Sequence, residues 1–441
     1  MKAMLFEDSI PVNFSDMLDD IRLPRMFRVH QSFPKDSVMD IDAEVAAQMK
    51  RILADGRAAG KRIAVTAGSR GIRHGVRILR NVVNMLRTHG ADPFLIPAMG
   101  SHGGGTPQGQ LSMLRHLGIT EESVGAPIVA TMDTAQIGEL DNGTPVYCSA
   151  DALAADGIFV LNKIKPHADF KGEFESGLIK MLAIGLGKHK GCSTLHRLGF
   201  ASFPQMLPAA AKVVLREANI LGGLAILENA YDEIMRIEAV FADEILNREA
   251  ELLNIAKRNI ARILIPEIDV LIVGEIGKHI SGEGMDPNVT GRPGSYLTAG
   301  FEHTRTNQIV VLDIAEQSAG NGAGIGMADI STLRCVHKLD LGMMYTNSIT
   351  AGILGPSRLP VVLNNDREAI RTAIKIGAAQ RVDAPRMVLI RNTLLLEDIL
   401  VSQPLLDEVE GHPHMRVLEE VAWRIGGDGY LIDLPFETTD G

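Results

Sequence analysis

Residues 62–90 read RIAVTAGSRGIRHGVRILRNVVNMLRTHG and contain the three parts of a strand–turn–helix unit. The apolar run from Ile63 to Val65 stops at a glycine-bearing turn, which indicates a buried strand. Apolar residues then recur at helical spacing until Gly90, a residue typical of a helix end: Ile72, Val76, Leu79, Val83 and Leu86. This pattern predicts one repeat of a parallel α/β sheet.

Two further apolar runs predict neighbouring strands, because each is short and each ends in a polar loop. Pro93–Pro97 precedes a glycine-rich loop that contains His102, and Gly157–Leu161 precedes a loop that contains His167. In open parallel sheets, ligands bind beyond the carboxyl ends of the strands. The three loops, the first of which carries Arg70, are therefore expected to converge on one site.

The alternation of strands and helices restarts after a polar-faced helix predicted at residues 243–259. The fold class is therefore predicted as α/β, with two α/β domains, mainly parallel sheets and a cleft between the domains. Residues 1–262 are assigned to an N-terminal catalytic and cofactor-binding domain. Residues 263–404 are assigned to a C-terminal domain that closes the cleft, and residues 405–441 to a segment that can pack back on the first domain.

Composition excludes several classes of function. The chain has 441 residues, a formal net charge of −10 and 4% aromatic residues, so a basic, base-stacking nucleic-acid surface is not expected. It has no apolar run of about 18 residues and no signal peptide, so neither a membrane span nor export is expected. Three widely spaced cysteines, Cys148, Cys192 and Cys335, are typical of a reducing compartment and predict a cytoplasmic protein.

Residues 161–196 read LNKIKPHADFKGEFESGLIKMLAIGLGKHKGCSTLH and carry many basic groups. A local cationic field on an acidic protein favours an anionic ligand, because clefts focus field lines regardless of net charge. A solvated basic face is the alternative, and the interleaved glycine, proline and histidine argue against it. The stretch therefore predicts a binding site for an anion.

The turn at residues 68–71 is a candidate cofactor-binding loop, with Ser69 and Gly71 as the candidate residues. Backbone N–H groups at the start of a helix bind phosphate well. The turn matches neither the dinucleotide fingerprint nor the Walker loop, so an ordinary tight turn is an equal alternative. The chain also lacks the zinc-protease and serine-hydrolase motifs, which leaves those activities without support.

The order of these residues resembles the lactate racemase family that uses a nickel-pincer nucleotide. The resemblance is carried by Arg70, Gly100-Ser101-His102, Pro166-His167, Lys180 and His196. It implies that pyridinium-3,5-bisthiocarboxylic acid mononucleotide nickel is attached covalently to Lys180, with His196 as the nickel ligand. Cofactor-biosynthesis proteins would then be partners during maturation.

The resemblance also implies an isomerase, a racemase or epimerase of a 2-hydroxy acid. His102 and His167 would be the acid/base pair on opposite faces of the substrate, and Arg70 would contact the substrate or its developing oxyanion. Reversible hydride transfer would give a planar keto acid that takes hydride back on either face. Histidine suits both roles, because it titrates near neutral pH and its neutral ring binds nickel.

Two departures from the family pattern affect the expected substrate. Residues 171–180 read KGEFESGLIK where the family has Gly-Phe-Ser-Gly-Gly-Arg-Lys. In the second domain, Asp286-Pro287-Asn288 is not followed by the substrate-binding glutamine and lysine of the family. Lys278 and Arg292 are the substitutes predicted to bind the carboxylate, and the predicted substrate is a 2-hydroxy acid other than lactate.

Two other classes of function stay open. One is a relative without the pincer cofactor that binds or transforms an anionic metabolite. The other is a dehydrogenase-like enzyme with a diffusible nucleotide, against which the missing dinucleotide fingerprint counts. In each case a small-molecule ligand is expected, with no nucleic-acid or membrane partner and with a homo-oligomer as a possible assembly.

Overall fold

The computed structural model describes residues 9–10, 12, 14–434 and 436, and it divides the chain into two compact units. One unit is Pro34–Ile260. The other unit combines the described residues of Met1–Phe33 with those of Ala261–Gly441. Each unit is built around its own main sheet.

The described residues form fifteen β-strands and fifteen α-helices. In chain order the strands are β1 (Met26–Gln31), β2 (Arg62–Ala67), β3 (Asp92–Pro97), β4 (Thr134–Glu139), β5 (Pro145–Ser149), β6 (Gly157–Lys163), β7 (Ile220–Glu228), β8 (Ile234–Phe241), β9 (Glu267–Ile276), β10 (Arg305–Ile314), β11 (Ile330–Thr332), β12 (Val361–Leu363), β13 (Met387–Ile390), β14 (Asp398–Ser402) and β15 (Met415–Val421). The helices are α1 (Ser15–Leu18), α2 (Ile41–Leu53), α3 (Gly75–Thr88), α4 (Pro107–His116), α5 (Glu121–Val124), α6 (Ala150–Leu153), α7 (Leu178–Lys180), α8 (Lys188–His196), α9 (Phe203–Glu217), α10 (Ile245–Asn259), α11 (Pro287–Thr290), α12 (Leu333–His337), α13 (Leu341–Ala351), α14 (Asp366–Gly377) and α15 (Leu406–Glu410). A π-helical turn, Met181–Gly185, follows α7.

The unit Pro34–Ile260 holds a five-stranded sheet in the order β3-β2-β6-β7-β8. The first four strands are parallel, and β8 runs antiparallel to β7. Every residue of β7 is buried, as expected for a strand that is covered on both faces. Because β2, β3, β6 and β7 are parallel, their carboxyl ends meet at one edge of the sheet.

Helix α3 shows how the sequence pattern becomes packing in this unit. Its apolar face is buried, while Arg77 and Arg80 on the opposite face are exposed. The helix begins at Gly75 and not at the predicted Ile72, because His74 has a left-handed φ of 57° that an α-helix does not accommodate.

The length and hydropathy of each helix indicate whether it could cross a membrane. Among the described residues, no single helix has the length and apolar character to cross a membrane. The bent pair Lys188–His196 and Phe200–Glu217 passes that test by length and composition only.

The second unit holds an eight-stranded mixed sheet in the order β12-β11-β10-β9-β13-β14-β1-β15. Strands β12 to β13 of that order are parallel, whereas β14, β1 and β15 each run antiparallel to the strand before them. The parallel strands of this sheet come from the alternating strands and helices that the sequence predicted beyond residue 263. The whole chain is thus of the α/β class, as the sequence predicted.

The strand pairing of β1 and β15 corrects the predicted domain composition. Residues 1–262 were assigned to one domain, yet Met26–Gln31 pairs with β14 and β15 in the sheet of the other unit. Residues 405–441 were assigned as a segment able to pack on the first domain, yet Met415–Val421 completes the eight-stranded sheet. Backbone hydrogen bonds between strands far apart in the chain cause both differences. Residues 435 and 437–441 of that segment, like 1–8, 11 and 13, lie outside the described residues.

Candidate active site

The carboxyl ends of the parallel strands in the unit Pro34–Ile260 supply the candidate site. Ser69 and Arg70 follow β2, while His102 and His167 lie in the loops after β3 and β6. The three predicted loops thus leave the same sheet edge. Strand β7 adds Glu228 at this edge, a residue that the sequence analysis did not select.

The loop after β3 packs tightly and holds His102 next to Ser69. Gly100 has a φ of 61°, and a Cβ there would lie 2.9 Å from the Sγ of Cys192. The Nε2 of buried Gln110 donates to the carbonyl of Gly100 at 3.1 Å. Further along the loop, the Nδ1 of His102 lies 2.5 Å from the Oγ of Ser69. A predicted catalytic residue and a predicted cofactor-binding residue are therefore directly paired.

Two neighbouring glycines of this loop allow a matched test of its packing. Gly103 and Gly104 both have a φ of 67°, so alanine at either position costs about 1 kcal/mol in backbone strain. A Cβ at Gly103 would also lie 2.5 Å from the backbone carbon of Gly109, whereas one at Gly104 meets nothing within 4 Å. We expect Gly103→Ala to lower the free energy of unfolding, measured in urea, roughly twice as much as Gly104→Ala or more. Equal losses would contradict this loop packing.

His167 and Lys180 are hydrogen-bonded to each other. The Nε2 of His167 lies 2.7 Å from the Nζ of Lys180, and its Nδ1 accepts the backbone N–H of Asp169 at 3.0 Å. A neutral imidazole has one N–H, so this bonding assigns the proton to Nε2, which donates to the lone pair of Nζ. The arrangement is that of a neutral amine, the nucleophilic form of lysine.

Burial and nearby cations disfavour protonation of both groups. Burial, followed by the charges of Lys180 and Lys165, lowers the pKa of His167 well below 6.5. Burial, followed by the Arg70 guanidinium, lowers the pKa of Lys180 from 10.5 to about 8. The imidazole is therefore neutral at neutral pH, and an increasing share of the amine is neutral as the pH approaches 8.

His196, on α8, has one ring nitrogen fixed by its own helix. Its Nδ1 donates to the carbonyl of Cys192 at 2.8 Å, and the Sγ of Cys192 lies 3.4 Å from the same nitrogen. Burial opposes protonation of His196, but the hydrogen bond and charge of Cys192 outweigh burial and raise its pKa. Donation from Nδ1 leaves the lone pair on Nε2, as in histidines that bind metals. Among the described residues, no group of three or more histidine, cysteine and acidic side chains is placed to hold a metal ion.

A cluster of phenylalanine rings connects the two histidines. The ring centroid of Phe170 lies 4.5 Å from that of His167, and the centroid of Phe203 lies 4.9 Å from that of His196. The two phenylalanine centroids are 5.2 Å apart. This apolar wall keeps water from one side of both imidazoles and accounts for the large contribution of burial to their pKa values.

Three lysines of the predicted anion site have partners inside the protein. Two form ion pairs with buried carboxylates: Lys163 with Glu228 at 2.5 Å, and Lys171 with Glu175 at 3.4 Å. The Nζ of Lys188, which is fully buried, donates to the backbone carbonyl at position 97 at 2.7 Å. These cations stabilise the loops of the site, so the cationic field available to a ligand is smaller than the sequence implied.

A cavity of about 660 Å³ adjoins the turn after β2. Its walls include Gly68, Arg70 and Gly71 from the turn and Leu161 from β6. A volume in this range is typical of small-molecule pockets. Of the two predicted cofactor-binding residues, Gly71 lines this cavity, whereas the hydroxyl of Ser69 is bonded to His102.

The two residues predicted to bind a carboxylate lie in the other unit. Arg292 forms an ion pair with Asp329 at 2.5 Å and donates to the carbonyl of Asn307 at 2.8 Å. The Nζ of Lys278 donates to the carbonyl of Gly282 at 2.6 Å. Both side chains therefore have structural partners within their own unit, and their role in substrate binding stays a prediction.

Comparison with known proteins finds a similar domain and a similar fold. Residues 47–206 match the family model of the lactate racemase N-terminal domain, a range that extends from before Arg70 to beyond His196. The structure of the lactate racemase apoprotein from Thermoanaerobacterium thermosaccharolyticum has a similar fold, with a TM-score of 0.52 and 14% sequence identity over 83% of this chain and 98% of that chain. No curated protein matches the chain. Residues 47–206 therefore match a lactate racemase N-terminal domain, and the fold of the chain is similar to that of a lactate racemase apoprotein.

Proposed function

We propose that the protein is a racemase or epimerase of a 2-hydroxy acid that works by reversible hydride transfer. The observation that carries the proposal is the bonded pair of His167 and Lys180, whose geometry is that of a neutral imidazole beside a neutral amine. A neutral imidazole accepts a hydroxyl proton, and a neutral amine forms a covalent link. The family resemblance assigns proton acceptance to His167 and the covalent link to Lys180.

The residues of the site fit a nickel-pincer nucleotide. Lys180 offers a nucleophilic amine for attachment, and His196 offers an oriented Nε2 for the nickel. The cavity of about 660 Å³ lies beside Arg70 and Gly71 of the turn after β2, and its walls do not include Lys180 or His196. When bound, this cofactor supplies a reversible acceptor of hydride.

The chain's own residues would then handle protons and charge. His167, kept neutral by burial, accepts the substrate hydroxyl proton on one face, and His102 serves the other face. In the bonding described, Nε2 carries the proton, so His167 would act as a base at Nε2 only after this proton moves to Nδ1. Attachment of the cofactor at Lys180 would favour that change, because it would remove the lone pair that accepts the Nε2–H. Arg70 is proposed to bind the negative charge of a substrate oxygen; it lines the cavity, and its charge lowers the pKa of Lys180.

The test is intact mass and nickel content of the chain produced together with the cofactor-making enzymes, which are its proposed maturation partners. A stoichiometric adduct with nickel, and interconversion within a panel of 2-hydroxy acids that includes lactate, would support the proposal. An unmodified, nickel-free chain under conditions that load an established lactate racemase would overturn it. That result would favour a relative that handles an anionic metabolite without the cofactor.

We further propose a cytoplasmic location. The three cysteines are buried free thiols, a state that a reducing compartment maintains. Fractionation of the producing cells would test this, with recovery in an exported fraction as the contrary outcome.

A further inference from the structure

The helical turn that carries Lys180 is anchored by a carboxyl group from a distant part of the chain. Glu249 lies on α10, and its Oε2 accepts the backbone N–H of Ile179 at 2.9 Å. The backbone N–H of Leu178 bonds to the same carboxyl group. These N–H groups belong to the start of α7, where a helix has no internal partners for them.

Gly177 makes this close approach possible. A Cβ at Gly177 would lie 2.4 Å from the Oε1 of Glu249 and 2.5 Å from its Cδ, so any side chain would displace the carboxyl group. The φ of Gly177 is 176°, an extended conformation open to every residue. Glycine is therefore required here for space. From the other side, the Nδ2 of Asn162 donates to the carbonyl of Gly177 at 2.8 Å and holds the turn against β6.

Burial of the Glu249 carboxyl group has an energetic cost. Glu249 is only 1% exposed, and burial raises the pKa of its carboxyl group to about 8. Its Oε1 has no hydrogen-bond partner among the described residues. An unpaired buried polar atom destabilises a protein, and an apolar side chain of similar size would avoid that cost. Stability alone therefore does not account for a carboxyl group at this place.

We infer that Glu249 is a positioning residue for Lys180. By fixing the first turn of α7, its carboxyl group sets the direction of the Lys180 side chain and holds Nζ against the Nε2 of His167. The π-helical turn Met181–Gly185 begins directly after Lys180, so the turn is constrained from its amino-terminal side by Glu249 and Asn162. The inference rests on the proposed role of Lys180 as the attachment residue.

The test is competitive labelling of the unloaded chain with acetic anhydride at a series of pH values. Mass spectrometry reports the extent of reaction at each lysine, with exposed Lys50 as the internal reference. In the unaltered chain we expect Lys180 to react with a midpoint at about pH 8. Glu249→Ala should raise the pH midpoint for labelling of Lys180. One pKa unit changes the fraction of neutral amine about tenfold, so labelling of Lys180 at pH 7.5 should slow about tenfold or more. Glu249→Gln keeps an acceptor oxygen and should stay within about threefold.

Gly177→Ala provides a second and independent displacement of the carboxyl group, in case Glu249→Ala fails to fold. It should shift the labelling profile of Lys180 in the same direction. Glu251→Ala is the matched control, because Glu251 lies on the same helix with 63% of its side chain exposed. Unaltered profiles in folded Glu249→Ala or Gly177→Ala would overturn the inference. Since no cofactor takes part, this result is separate from the outcome of the nickel and mass measurement.

Discussion

A chain with Lys180→Ala is expected to fold and to lose cofactor attachment completely. Nζ of Lys180 is the amine whose bonding pattern and pKa of about 8 fit a nucleophile, and alanine removes it. The intact mass of the co-produced chain should then equal that of the bare polypeptide. Interconversion of 2-hydroxy acids should fall to the background rate, because proper placement of a reacting group contributes several kcal/mol to catalysis.

Lys190→Ala is the matched control for this change. Lys190 is an exposed cation on α8 that lies over the ring of Tyr147, with its Nζ 4.5 Å from the ring centroid. The control should carry the full adduct mass and stoichiometric nickel. Persistence of the adduct in the Lys180→Ala chain would assign the covalent bond to another residue. Nickel without an adduct would instead show that His196 holds the cofactor non-covalently.

Single replacements His102→Ala and His167→Ala are each expected to lower the rate of interconversion about 10²- to 10⁴-fold, the usual contribution of a general acid or base. Each imidazole is proposed to serve one face of the substrate, so the loss of either blocks the exchange in both directions. The adduct mass should remain, because attachment depends on Lys180. Chiral chromatography of reactions started from each enantiomer measures the effect.

His116→Ala is the control for the histidine variants. His116 is exposed at the end of α4, outside the loops of the site. Its replacement should leave both the rate and the adduct unchanged. Turnover within about threefold of the unaltered enzyme in either the His102→Ala or the His167→Ala chain would contradict the acid/base assignment.

The local pattern of the sequence was sufficient to predict most of the sheet in the unit Pro34–Ile260. Strands β2, β3 and β6 are short buried runs that end in polar loops, so the local sequence indicates both the strand and its end. Strand β1 gives no such signal, because MFRVHQ alternates between buried and half-buried residues. Its partners β14 and β15 lie near the other end of the chain, and no local pattern specifies such pairing.

The candidate site also contains residues that the local sequence marks and residues that it does not mark. His102, His167 and Lys180 were selected because unusual glycine, proline and lysine neighbours mark them in the sequence. The carboxylates that hold these residues have no such mark, since Glu249 sits in an ordinary polar-faced helix and Glu175 in a loop. Their roles depend on contacts with backbone N–H groups: Glu249 accepts that of Ile179, and Glu175 accepts that of His167 at 2.6 Å. The need for glycine at position 177 likewise becomes apparent only when the carboxyl group of Glu249 is placed beside it.

The π-helical turn after Lys180 holds one residue more in its hydrogen-bonded loop than an α-helical turn. The N–H of Leu186 bonds to the carbonyl of Met181 at 2.9 Å, five residues back, whereas an α-helix bonds four residues back. Deletion of one residue from Met181–Gly185 would therefore let this turn close as an α-helical turn, with little movement of the segments on either side. Insertion of one residue cannot be absorbed in this way and would displace His196 relative to Lys180. The spacing between the proposed attachment residue and the proposed nickel ligand should therefore tolerate shortening by one residue better than lengthening.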